Sequence, residues 1–409
     1  MITVAEISEC FPNKFKPVTG EFILQHVKAL SAYCRVITLV PVRYVPTKEL
    51  FSNGPLKALP ELISWYNSLM KTNNFKTGNL SVIYFGYVSL PRPFFESADI
   101  KFINFFFYSK VKSLLKDLNP DLICCNWLRP WSELSGNLAK ELNIPFIIDH
   151  HEDIPTLKKL FPDSYKDFLK SFGKADRVIV HSNVNKKELE DENLIIKNIS
   201  IVHLGQNFSA NDTAKIFNFN KPKLICVSHL YESRKNIDVL IKALSLMKIN
   251  GTTVPILDIA GDGNLRQKYT ALAKELGVQD IVNCAGSKSQ DELGKLYDEA
   301  DLFVLPSYPE AFGVVFIEAL AKGLPVITCE GNGGGEELKS LGYPAKLVKP
   351  NSPEILSKAI SDLLKDKDRM NIMSEKGKQI VKEYFTWDKN AQSSVEVFKK
   401  TINEFHSKD

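Results

Sequence analysis

At 409 residues the chain is longer than one ordinary hydrophobic core organises, so two domains are expected. Its 44% hydrophobic and 24% charged residues exclude a disordered or fibrous protein. The 52 basic against 48 acidic side chains leave a net charge of +4, too weak for a dedicated nucleic-acid binder.

The chain opens on ITVAEI (2–7), an apolar run carrying Glu6 and followed by Glu9. Lacking a basic stretch ahead of an apolar core, it is expected to be a first strand and not a leader. Further β-branched runs follow at RVITLVPV (35–42), LSVIYFG (80–86), DLICCN (121–126), PFIIDH (145–150), RVIVHS (177–182) and SIVHL (200–204). Helical spacing at 21–32 and 131–142 lies between them, and this alternation predicts a doubly wound parallel sheet over residues 1–210. Along 93–118, Ile103, Phe107, Val111, Leu114 and Leu118 make a core-facing helix stripe. Phe102, Phe105 and Phe106 fall off it and, with Lys101, Lys110 and Lys112, could rest on an anionic membrane; a purely aromatic core helix is the plainer alternative. Residues 211–222, polar and closed by Pro222, read as a linker. The alternation then restarts with KLICVS (223–228), PILDIA (255–260), DIVNCA (280–285), DLFVLP (301–306), PVITC (325–329) and KLVKP (346–350), giving a second domain over 223–384. The expected fold class is therefore α/β, two Rossmann-like domains facing a cleft, with a closing segment at 385–409. The seven cysteines sit mostly in apolar runs and read as reduced core residues of a cytoplasmic protein. No run approaches the roughly 18 apolar residues of a membrane span.

Chemistry concentrates in PSYPEAFGVVFIEALAKGLPVI (306–327). A strand ends at Pro306, a loop carries Glu310, and a helix is predicted from Phe312 or Gly313 to Ala321, with Gly323 closing it. Unpaired N–H groups at a helix start suit a diphosphate, and Gly313 lets an anion approach the backbone. Glu310 before the helix and Glu318 within it could accept hydrogen bonds from hydroxyls. Taken alone, the pair is more simply read as one loop acid and one surface acid. In VSHLYESRKNIDVLIKAL (227–244), Arg234 and Lys235 fall where a loop becomes a helix, placed to balance phosphate charge or merely to be solvated. Gly261 and Gly263 in LDIAGDG form a turn. NGGGEE (332–337) reads as a flexible glycine loop. Asp366 and Asp368 lie in a lysine-rich helical stretch, so no metal ligand set is expected.

The 306–327 segment resembles the family-4 retaining glycosyltransferases through Pro306, Ser307, Glu310, Phe312, Gly313, Glu318, Ala321, Gly323, Pro325 and Val326. The resemblance implies the GT-B arrangement, a nucleotide diphosphate sugar as donor, Glu310 on the sugar and Glu318 on the ribose. It adds Phe312, Gly313, Val314 and Val315 around the phosphates, Lys235 and Arg234 as their cations, and Gly286 at the base. Ser228, His229 and Asn236 depart from the family's Gly, Arg and Gly. Gly20 in PVTGEF matches a phosphate-side glycine loop, with a plain helix entry capped by Thr19 as its alternative. His150 in IIDHHEDIP takes the place of a strand-end His that touches the sugar, and Trp387 packs where the closing helix crosses back. The function so implied is hexosyl transfer from UDP- or GDP-sugar, without metal or other cofactor, to a glycan, lipid-linked or small-molecule hydroxyl in surface-polysaccharide or glycoconjugate assembly. A sugar-nucleotide binder without chemistry and a GT-B phosphorylase or epimerase are the alternatives. Nicotinamide chemistry is disfavoured, since no strand leads into G-x-G-x-x-G. The expected place is the cytoplasm, with peripheral contact at the inner face of the membrane.

Overall fold

The computed structural model describes residues 1–17, 19–45, 55–70, 74–89, 96–127, 130–192, 196–210 and 213–407. They divide into two compact units: Met1–His181, Asn185–Gly205 and Trp387–Asp409 form the first, Ser182–Val184 and Gln206–Thr386 the second.

Strands β1 (Thr3–Ile7), β2 (Arg35–Tyr44), β3 (Phe75–Thr77), β4 (Leu80–Val88), β5 (Leu122–Asn126), β6 (Phe146–Asp149), β7 (Arg177–Val180) and β8 (Ile199–Ile201) build the first sheet. Their order is β3-β4-β2-β1-β5-β6-β7-β8, parallel throughout except for the β3/β4 pair. Successive side chains alternate between faces, which is why the runs are apolar on both. Ala5, Ile7, Ile123, Cys125, Phe146 and Ile148 enter a core closed by Ile103, Val111 and Leu115 of helix Glu96–Leu118 and by Phe168 and Phe172 of helix Tyr165–Lys174. Val4, Leu122, Cys124 and Ile147 enter the opposite core, closed by Ile23 and Val27 of helix Glu21–Leu30 and by Ala391, Val395 and Phe398 of the terminal helix Trp387–His406. Polar contacts fasten that last helix. Arg177 donates through Nε to Thr401 Oγ1 at 2.9 Å and through Nη2 to Glu404 at 2.6 Å, and Asn390 donates to the His203 carbonyl at 2.8 Å. Trp387 packs on Gly205, where a Cβ would come within 2.5 Å of the indole.

The second sheet comprises β9 (Lys223–Val227), β10 (Ile256–Ala260), β11 (Val282–Gly286), β12 (Leu302–Val304), β13 (Val326–Cys329) and β14 (Lys346–Val348). Every pairing is parallel and the order is β11-β10-β9-β12-β13-β14. This is the 3-2-1-4-5-6 order of doubly wound sheets; it reverses between β9 and β12, opening a crevice at their carboxyl ends. The segment read as a linker is tied to this unit over its described residues. Lys215 donates to the Tyr297 carbonyl at 3.2 Å, the Asn218 amide to Asp301 at 2.6 Å, and Lys378 to the Thr213 carbonyl at 3.0 Å. All seven cysteines are unpaired. Among the described residues no helix is long and apolar enough to cross a membrane.

Candidate active site

Two loops leave the carboxyl edge of the second sheet at its switch point and are stitched together. After β9 the chain makes a short turn, Ser233–Lys235, and Asn236, in the left-handed region at φ 52°, starts helix Ile237–Ile249. After β12 it runs through Pro306–Gly313 into helix Val314–Ala321. Asn236 donates to the Pro306 carbonyl at 3.0 Å, the Tyr308 amide to the Arg234 carbonyl at 2.9 Å, and Arg234 Nη1 to the Pro309 carbonyl at 2.9 Å. The glycines of LDIAGDG explain themselves by packing: a Cβ on Gly261 would meet the Ser228 carbonyl oxygen at 1.8 Å, and one on Gly263 would meet Leu230 backbone at 2.3 Å.

These stitches gather charge around Glu310, which is 9% exposed. Lys235 Nζ donates to its Oε2 at 2.5 Å, and Arg234 Nη1 lies 3.6 Å from its Oε1. Burial alone would raise this carboxyl; Lys235 and Arg234 overcome it and hold the acid below its ordinary value, ionised. His229, standing where the family resemblance implies an arginine, is pushed toward its neutral form by burial first and Lys235 second. The second positive charge beside Glu310 is therefore Arg234, which also pairs with Glu232.

Helix Val314–Ala321 begins at Gly313, φ 81°, with no side chain capping it, and Gly313, Val314 and Val315 are half-exposed. A helix start left without a side-chain cap is what an anion site requires. Phe312, expected beside the phosphates, is 3% exposed with its ring on Phe385 at 5.7 Å, so its side chain packs the loop instead. Glu318, 8% exposed, accepts a hydrogen bond from Tyr297 Oη at 3.2 Å. Its carboxyl is raised from 4.5 to about 7 by burial, which outweighs the hydrogen bonds from Tyr297 and Gln290. The two acids thus sit in opposite electrostatic settings.

The NGGGEE stretch is not a loop. Gly333–Ser340 is a helix whose N-cap, Asn332, accepts from the Gly335 amide and donates to Ser307. Cβ atoms on Gly333 and Gly334 would meet the Ala311 and Phe312 carbonyl oxygens at 1.9 Å, so the glycines let this helix lie against the backbone that carries Glu310. Gly286, φ 74°, ends β11 and accepts from the Gly261 amide at 2.9 Å.

Residues 209–380 match the model of glycosyl transferases group 1, and residues 75–209 that of Glycosyltransferase Family 4. The chain belongs to the group 1, family-4 glycosyltransferases. It is 28% identical over 284 residues to an uncharacterized glycosyltransferase of Methanocaldococcus jannaschii, covering 69% of this chain and 76% of that one. It is 33% identical over 178 residues to a GDP-mannose-dependent alpha-(1-6)-phosphatidylinositol monomannoside mannosyltransferase of Mycobacterium tuberculosis, covering 41% of this chain and 45% of that one. Among solved structures, a sucrose-phosphate synthase from Thermosynechococcus elongatus superposes at TM-score 0.75, with 19% identity, over 99% of this chain and all of the other. Anabaena HepE in complex with UDP-glucose superposes at 0.70, with 16% identity, over 98% of this chain and 100% of that one. These neighbours share the GT-B fold.

In the first unit of this glycosyltransferase, His150, expected to touch the sugar, lies in the core. His150 is 0% exposed, its ring edge-on to Phe172 at 5.3 Å in the core, and neither ring nitrogen has a hydrogen-bond partner. Burial drives it to about 3, so it is a neutral core residue. Strand alternation puts His150 with Phe146 and Ile148 and turns His151 to the other face with Asp149. Gly20, φ 73°, starts helix Glu21–Leu30 in place of Thr19; a Cβ there would meet the Cys10 carbonyl oxygen at 2.2 Å. Asp366 caps helix Lys367–Tyr384 by accepting from the Arg369 amide. Sequence reasoning missed Tyr297, Gln290 and Asn332, polar partners with no local signature.

Proposed function

We propose that the protein transfers a hexosyl unit, with retention, from UDP- or GDP-sugar to a hydroxyl of a glycan, lipid-linked or small-molecule acceptor. The observation that carries this reading is the Glu310 carboxylate held ionised by Lys235 and Arg234 beside the uncapped start of helix Val314–Ala321. The diphosphate would lie on the Gly313–Val315 amides, with Lys235 and Arg234 meeting its charge in place of a metal ion. Glu310 would accept hydrogen bonds from the sugar and Glu318 from the ribose diol. The sugar's C1–O bond to the β-phosphate breaks while the acceptor oxygen bonds to C1 on the same face, and the acceptor's proton passes to the departing phosphate oxygen. The two cations stabilise the charge that grows there. His229 in place of the family arginine favours a binder without chemistry; against that reading, Arg234 supplies the charge His229 lacks.

Membrane contact belongs to the same proposal. Phe105 and Phe106 are 80% and 59% exposed on helix Glu96–Leu118. Lys110 lies over the Phe85 ring at 5.3 Å and Lys112 pairs with Glu141, leaving the electrostatic part of such a contact to Lys101. Co-sedimentation with anionic vesicles that is lost in Phe105→Ser/Phe106→Ser is the expected result, and no sedimentation of the wild type removes the idea. The central test is a thermal-shift panel of nucleotide diphosphates and nucleotide sugars, since a ligand of the native state raises the melting temperature. Glu310→Gln should then abolish transfer while keeping the nucleotide-induced shift. Unchanged turnover in that variant would remove the sugar-binding assignment.

A further inference from the structure

The first sheet has a switch point of its own, which none of the roles above uses. In the order β4-β2-β1-β5-β6 the chain winds outward one way from β1 and the other way from β5. In open parallel sheets the crevice at the carboxyl ends of such a pair takes ligands. A pocket of about 190 Å³ opens there, walled by Glu9 after β1, Asn13 and Lys16 of the loop that follows, Arg43 of β2 and Trp127 after β5. At roughly 10–15 Å³ for each water, that is space for about a dozen waters, the size of one sugar ring.

The walls are held in place from beneath. Arg43 donates through Nε to Ser89 Oγ at 2.7 Å, and Ser89 donates to Asp99 Oδ2 at 2.6 Å. Ser89 and Asp99 are each 2% exposed. Burying a carboxylate is costly, and here it orients a guanidinium that the surface would otherwise leave to water. Glu9 Oε2 accepts from the buried Tyr87 hydroxyl at 2.6 Å. Lys16 is set by its backbone: Asn13 and Lys16 exchange amide-to-carbonyl bonds of 3.2 and 3.1 Å, and Asn13 Oδ1 accepts from the Phe15 and Lys16 amides. Trp127 stands in the left-handed region at φ 77°, a conformation a bulky residue takes only where its surroundings impose it. Its amide donates to the Asp149 carbonyl at 2.9 Å, and its ring packs on His151 at 4.9 Å and Phe22 at 5.8 Å.

We propose that this pocket holds the acceptor, and that the acceptor is a hydroxylated ring carrying an anionic group, phosphate or carboxylate. The pocket's role as an acceptor site rests on the transferase reading above; the chemistry it selects follows from its own walls. Two cations, Lys16 and Arg43, stand there against one carboxylate, Glu9, and among the described residues Lys16 pairs with no acid. The guanidinium and the ammonium donate to the anionic group. A carboxylate has acceptor sites beyond the one Tyr87 uses, so Glu9 takes a ring hydroxyl. The indole of Trp127 offers an apolar surface to the C–H side of the ring, with a polar N–H at its edge. A neutral sugar would leave the two cations without a partner, and a bare anion without hydroxyls would be repelled by Glu9. All these residues belong to the first unit.

The test is binding to the full chain without nucleotide, read by calorimetry and tryptophan fluorescence at fixed ionic strength. Glucose 6-phosphate, glucuronate and glucose are the matched probes, and short-chain phosphatidylinositol below its micellar concentration presents the same chemistry as a headgroup. At least one anionic probe should bind about tenfold or more tightly than glucose; binding of the lipid alone assigns the anion to a headgroup, and binding of the sugars to a soluble acceptor. Lys16→Gln, on an exposed loop residue, and Arg43→Gln should each remove most of that preference, and Trp127→Phe should remove the fluorescence change. Should Arg43→Gln or Trp127→Phe misfold by circular dichroism, Lys16→Gln and the probe series decide. Equal affinity for glucose and the anionic probes, no binding of any probe, a fluorescence change that survives Trp127→Phe, or folded variants that keep the preference would each overturn the assignment. Failure here is separable from failure of the donor site: if nucleotide diphosphates raise the melting temperature and no probe binds, the pocket alone is refuted. If the probes bind and no nucleotide raises it, the transferase reading is.

Discussion

Glu318 offers a quantitative check on the electrostatics of the site. Its carboxyl stands near 7 in the folded protein against 4.5 when free, because burial penalises the ionised form. The folded state therefore holds this proton more tightly than the unfolded chain does. The resulting stability is complete below 4.5 and is lost as the pH rises through 7, a loss of roughly 3 kcal/mol at about pH 8. Glu318→Gln keeps a carbonyl to accept from Tyr297 and carries no charge. It should be more stable than wild type by roughly 3 kcal/mol at about pH 8 and by under about 1 kcal/mol at about pH 5. Urea unfolding reads this as a midpoint shift of about 1 M or more at the higher pH. All four tryptophans, Trp65, Trp127, Trp131 and Trp387, lie in the first unit. Circular dichroism then follows the whole chain, while tryptophan fluorescence follows the first unit and serves as the internal reference. Equal shifts at both pH values, or a less stable variant at the higher one, would refute the claim that burial governs Glu318. On the proposed role of Glu318 the same ionisation bears on ligand affinity: accepting two ribose hydroxyls would need the carboxylate, so nucleotide binding by the wild type should weaken as the pH falls below 7.

Two further substitutions probe the supports of the fold. Gly333→Ala places a methyl against the Ala311 carbonyl oxygen, where only 1.9 Å is available; it should cost about 1–3 kcal/mol and weaken sugar-nucleotide binding by displacing the loop that carries Glu310, as calorimetry would show. Phe398→Ala hollows the core under the terminal helix and should cost about 3–5 kcal/mol, seen as an earlier tryptophan-fluorescence transition.

The sheets were legible because buried parallel strands read as unbroken apolar runs, and KLICVS or RVIVHS can hardly be anything else. The assignment of His150 failed for a reason the sequence already contained. In PFIIDHH the alternation of a strand groups Phe146, Ile148 and His150, and a face holding two large apolar side chains is the core face. Period-two geometry turns His151, not His150, away from that core. NGGGEE misled for the opposite reason: glycine disfavours helix locally, and what overrides that preference is the carbonyl of Ala311, more than twenty residues away in sequence and touching in space.

The same distinction between local pattern and distant neighbour explains why two identical acids, eight residues apart, hold different protonation states. Glu310 is ionised because a loop from β9 carries Lys235 and Arg234 onto it, and Glu318 is drawn toward neutrality because helix Gln290–Glu299 supplies only the hydroxyl of Tyr297 and the Gln290 amide as it buries. Spacing in the chain decides that both reach one helix; the topology of the sheet decides which of them meets cations. A carboxylate locked to two cations stays ionised, so under the proposed function Glu310 would compete with an arriving phosphate for Lys235 and hand that lysine over as the diphosphate docks. Glu318 has no such partner, and the energy of ionising it must come from whatever binds there. Nucleotide affinity is for that reason expected to carry the pH dependence of the donor site, and the Glu310 charge its constancy.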